Sequence, residues 1–85
     1  MKTKNLNGYY NIIGSNIKKY RTLRGLSQRQ LASKLTLMGV NIYDSDITRM
    51  GSHSVFVRDY EQIAICKVLN ITLEQLFEDT AKYFD

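Results

Sequence analysis

The stretch that decides the fold is Gly25-Leu26-Ser27-Gln28-Arg29-Gln30-Leu31-Ala32-Ser33-Lys34-Leu35. Ser27 and Gln30 stand at capping-box spacing: the serine oxygen accepts from the Gln30 amide, and the glutamine side chain reaches back to the serine amide. Gly25, just before them, takes the left-handed conformation that ends a helix. The stretch therefore closes one helix and opens another. Leu31 and Leu35 share one face of the second helix, with Ala32 as a small contact surface. Its end is predicted between Thr36 and Met38, with Gly39 breaking it.

Upstream, Ile13, Ile17, Tyr20 and Leu23 form an apolar stripe at helical spacing from Asn11 onward, with Lys18, Lys19, Arg21 and Arg24 largely off it. Downstream, Val40 to Tyr43 is a short connector. Asp44, or less well Tyr43, is predicted to cap a third helix that turns Ile47 and Met50 inward and ends near Met50. Gly51 to Ser54 is a loop. Asp59-Tyr60-Glu61-Gln62 repeats the capping-box spacing and opens a fourth helix, with Tyr60, Ile63, Ala64, Cys66 and Leu69 as core candidates and Asn70 as its stop. Thr72 to Gln75 caps a fifth, carrying Leu73, Leu76 and Phe77. The expected fold is all-α, with five short helices. The domain organisation is a flexible segment over 1–10, the helical domain over 11–78, and a tail or helix extension over 79–85.

With 85 residues, 44% of them hydrophobic and none of them proline, the chain has room for one domain and one core. Cys66 is the single cysteine, so no intrachain disulfide can form, and its apolar neighbours predict a buried thiol. No apolar run approaches the roughly 20 residues of a bilayer span, and the first ten residues lack the apolar stretch of a secretion signal. The expected compartment is a reducing cytoplasm. His53 is the only histidine, and no spacing offers it a second metal ligand; neither a metal nor a cofactor is expected. No glycine-rich phosphate loop or nucleophile elbow is present, so catalysis is not expected.

Charge is unevenly distributed. Residues 1–43 carry eight lysines and arginines and no acid, while residues 44–85 carry four bases against eight acids. One half can attract a polyanion that the other resists.

These residues resemble the Cro and lambda-repressor type of helix-turn-helix domain, the XRE family, over Ile13 to Phe77. "IGSNIKKYRTLRGLSQRQLASKL", "ITRM" and "DYEQIAICKVLNITLEQLF" carry the resemblance, in the family's order. It implies a transcriptional regulator, a repressor of bacterial or phage type, binding double-stranded DNA as a homodimer with half-sites roughly 34 Å apart. It implies that the third helix lies in the major groove, with Asp44, Ser45, Thr48 and Arg49 facing base edges. Gln28, Arg29, Ser52, His53 and Ser54 would meet phosphates. Arg49 suits a bidentate grip on guanine, or else a phosphate or solvent; Asp44 either caps its helix or accepts from cytosine N4. Two departures stand out. Ala32 and Ile47 are fifteen positions apart, more than in most of the family, so the turn is long. Gly51 and His53 occupy positions where the family has glutamate and glycine.

Asp44 and Asp46 put negative charge at the tip that would face DNA. Two unit charges about 7 Å apart in water repel by roughly 0.6 kcal/mol, too little to exclude binding. The alternative expectation is a protein-interaction module, antitoxin-like or an anti-repressor, using the acidic half.

Overall fold

Four of the five helices begin where the side chain three residues on accepts from the amide of the cap residue. The computed structural model describes residues 4–84. It contains α1 (Gly14–Leu23), α2 (Gln28–Leu37), α3 (Asp44–Gly51), α4 (Asp59–Leu69) and α5 (Leu73–Leu76), then a 3-10 turn over Thr80–Phe84. Ser27 caps α2 as the spacing predicts: its Oγ accepts from the Gln30 amide at 3.0 Å, and its own amide donates to Gln30 Oε1 at 2.8 Å. Thr72 and Gln75 do the same for α5. The fold is all-α, and the only β-type pairing among the described residues is the single bridge from Leu6 to Tyr9.

The other two caps differ from expectation by one residue. At α3 the cap position is Tyr43, whose amide donates to Asp46 Oδ2 at 2.9 Å, while the Asp44 carboxylate, among the described residues, accepts only from the adjacent Ser45 amide. At α4 the position is Arg58, whose amide donates to Glu61 Oε1 at 2.7 Å. This register turns Glu61 inward with Ala64, Ile65 and Leu69, all buried, and leaves Tyr60 and Ile63 outside. Those two are therefore not core residues. Leu23, Leu73 and Phe77 are also exposed. Leu23 sits in the last turn of α1, and α5 is so short that only Leu76 is buried in it.

The core joins Ile13, Ile17 and Tyr20 to Leu31 and Leu35 of α2, Ile47 and Met50 of α3, and Ile65 and Leu69 of α4. Cys66 is buried, and that burial pushes its thiol pKa up. Each connector after α2 adds one branched side chain: Ile42, Val57 and Ile71 are all buried.

α1 starts on a different device. Asn11 Oδ1 accepts from the Ile13 and Gly14 amides at 3.1 and 2.8 Å. Its Nδ2 donates to the Met50 carbonyl at 3.1 Å and to the Val55 carbonyl at 2.8 Å. One side chain thus starts α1 and ties it to the end of α3. Gly14 makes the approach possible, since a Cβ there would lie 2.0 Å from the Met50 carbonyl oxygen.

Three residues of the N-terminal segment predicted to be flexible, Met1 to Thr3, lie outside the described residues, as does Asp85. From Asn5 onward the segment turns back on itself and sets Tyr9 against His53 and Tyr83, with ring centroids 5.3 and 4.7 Å apart. The C-terminal end is anchored through Glu78, which pairs with Lys19 and accepts from the Tyr20 hydroxyl.

Gly14→Ala forces backbone apart and should cost about 1–3 kcal/mol. Asn11→Ala strands donors and acceptors in a half-buried place and should cost about as much. Urea unfolding measures both. The Lys19 ammonium, and then the Tyr20 hydroxyl, hold the Glu78 pKa below the usual carboxylate value. A carboxylate with a lowered folded pKa contributes stability that is present above its unfolded pKa and is lost as pH falls through the folded one. Thermal unfolding should therefore shift downward on acidification below the ordinary carboxylate range, and Glu78→Gln should flatten part of that dependence.

Candidate nucleic-acid interface

Ile47 and Met50 are the buried residues of α3, each 2% exposed, and they fix which way the helix faces. Asp44, Ser45, Thr48 and Arg49 consequently lie on its exposed surface. α3 packs against both α2 and α1. That packing brings Thr48 beside Gln28 at the start of α2, with Thr48 Oγ1 donating to Gln28 Oε1 at 2.9 Å.

Where α1, α2 and α3 meet, a groove of about 230 Å³ opens at this face, lined by Lys18, Arg21, Gln28, Thr48, Gly51 and Ser52 over a floor of Ile17 and Ile47. It has two cations and no acid. Gly51 adds no side chain to fill it. Arg21 is braced by donating from Nη1 to the Leu26 carbonyl at 2.7 Å, and Lys18 has no ion pair among the described residues.

Arg49 is paired with Asp46, Nη1 to Oδ1 at 3.3 Å. The acidic tip therefore divides in two. Asp46 is engaged in capping α3 and holding Arg49, while Asp44 stays exposed.

The residues expected to meet phosphates separate in space. Gln28 and Ser52 border the groove beside Lys18 and Arg21. Arg29 lines a second groove, with Tyr43 and Asp44, on another side of α2. Ser54 is exposed and shares a hydrogen bond of 2.6 Å with Ser52. His53 is taken up by the fold. Its Nδ1 lies 2.8 Å from the Asn11 carbonyl, which can only accept, so Nδ1 carries the proton. Nε2 then accepts from the Ser15 hydroxyl at 3.0 Å. With both nitrogens engaged and its ring against Tyr9 and Tyr83, His53 joins the chain ends to the loop after α3 and has no free donor for a phosphate.

Lys18 and Arg21 were not among the expected contacts. Their spacing puts them on one side of α1, but which neighbour they border depends on how α1 crosses α3. The Asn11–Met50 junction decides that, and no periodicity encodes it.

Among the described residues no group of three or more His, Cys, Asp or Glu side chains gathers to hold a metal ion, and no helix is long and apolar enough to cross a membrane. Comparison with protein-family models, curated proteins and solved structures finds no match to this chain.

The division of labour between the two aspartates is testable by denaturation. Asp46→Ala removes the acceptor for the Tyr43 amide and should cost about 0.5–2 kcal/mol. Asp44→Ala should stay within about 0.5 kcal/mol of the parent.

Proposed function

We propose that the chain is a sequence-specific binder of double-stranded DNA, acting as a transcriptional regulator of the helix-turn-helix type with α3 in the major groove. The observation that carries this reading is the pairing of two features on one face. The exposed side of α3 presents hydrogen-bonding side chains, and beside it lies an acid-free groove with Lys18 and Arg21. Base edges are read by the first kind of feature and phosphates are held by the second. The resemblance to the Cro and lambda-repressor type supports the same assignment, and with it a cytoplasmic repressor that binds as a homodimer.

In this arrangement Arg49 grips a guanine through O6 and N7, and Ser45 and Thr48 face neighbouring bases. Arg49 must first leave Asp46. Both side chains are substantially exposed, at 56% and 35%, and such pairs contribute about 0–1 kcal/mol. A bidentate guanine contact discriminates by roughly 1–3 kcal/mol, so the exchange favours the base. Lys18, Arg21, Gln28 and Ser52 hold the flanking phosphates. Asp44 weakens attachment to unrelated DNA.

The rival reading, a protein-interaction module, draws on Phe56, Tyr60 and Ile63, which are exposed outside the α3 face. Selection from random-sequence duplexes separates the two. The DNA-binding reading expects one enriched motif and an affinity that falls steeply with salt. An interaction module enriches none. Arg49→Ala should relax preference at one base pair, whereas Lys18→Gln should weaken every sequence alike and lower the salt slope by about 1.

A further inference from the structure

The long connector between α2 and α3 leaves one large side chain that the fold does not use. Ile42 is buried in the core, and Tyr43 follows with extended backbone, φ −104° and ψ 162°. Successive side chains of extended chain point opposite ways. Seating Ile42 therefore turns the Tyr43 ring outward, where it is 67% exposed. The ring makes no hydrogen bond that starts the helix, because Asp46 performs that task by accepting the Tyr43 amide. Tyrosine is also not among the residues favoured at a helix cap.

The ring stands at the leading end of α3. It borders Asp44 and Arg29 on a groove of about 470 Å³ between α2 and the connector, whose other walls include Ala32, Thr36 and Leu37. Gln28 lines the cationic groove and the next residue, Arg29, lines this one. The two grooves thus flank the first turn of α2. A helix inserted in the major groove has DNA on both flanks, and the connector groove is the more apolar of the two sides.

We infer that Tyr43 is a specificity-determining residue, its ring packing on the 5-methyl group of a thymine at the edge of the segment that α3 reads. This rests on the DNA-binding reading above. Thymine carries the one apolar group that a base pair displays in the major groove, so an exposed ring beside the recognition face has a defined target. Arg29, next to it, meets the phosphate of the adjoining strand.

The test uses the full chain and the duplex that it selects, with each thymine replaced singly by deoxyuridine, which lacks only the methyl. Tyr43→Ser removes the ring and supplies a better helix cap, so its unfolding midpoint should not fall below that of the parent. At one thymine on the edge of the site, the wild-type protein should lose affinity by about fourfold, the worth of one buried methyl-sized group. Tyr43→Ser should show no loss there and unchanged losses elsewhere. Equal deoxyuridine penalties in both proteins at every position would overturn the inference, as would a selected site with no thymine at that edge. Failure of the underlying reading is visible separately: the wild-type protein then prefers no duplex at all, and the inference falls with it.

Discussion

Everything that faces outward from α3 depends on the contact between the start of α1 and the end of α3. Gly14 lies so close to the Met50 carbonyl that no larger residue fits without movement. Asn11 fastens the same carbonyl while capping α1. His53 adds a bond from its ring to the Asn11 carbonyl and accepts at its own carbonyl from the Tyr10 amide. With α1 and α3 joined there, Ile47 and Met50 have one way to enter the core. Thr48 then meets Gln28, and Lys18 and Arg21 border the groove beside them. The arrangement of the candidate interface follows from a packing constraint outside it.

The amino-acid sequence made the helices legible because their signals are local. Ser27 with Gln30 and Thr72 with Gln75 are reciprocal bonds across three residues, and the structure contains both. Gly25 and Asn70 close their helices with positive φ, 68° and 54°. Less was legible where spacing allowed two registers. Asp59 and Glu61 each suit the start of α4, and the choice between them reverses which of Tyr60 and Glu61 is buried. The buried Ile42, Val57 and Ile71 carry no periodic signal, since each is a single residue in a connector. Asn11 looked like the beginning of a helix, and its local bonds to the Ile13 and Gly14 amides start α1, but its bonds to the Met50 and Val55 carbonyls are tertiary and had no local signal.

The long connector between α2 and α3 and the acidic tip of α3 belong together. The connector carries Ile42 into the core and reaches α3 at Tyr43, a residue unsuited to capping. Asp46 compensates by accepting the Tyr43 amide, so one of the two acids at the tip is there for the helix. It also holds Arg49 in a surface ion pair weak enough to be exchanged for a base in the proposed complex. In the free protein Arg49 offsets the charge of Asp46, and once Arg49 turns to a base both Asp44 and Asp46 oppose the polyanion. Against them stand Lys18 and Arg21, in a groove without acids.

The most direct measurement of the central claim is the map of backbone amide chemical shifts in the full chain as a DNA duplex is added. The account predicts that perturbations gather at Lys18, Arg21, Gln28, Arg29, Tyr43 to Arg49 and Ser52, and leave Tyr60, Ile63 and Leu73 unmoved. Perturbations centred on Tyr60, Ile63 and Leu73, or none at any duplex concentration, would contradict it.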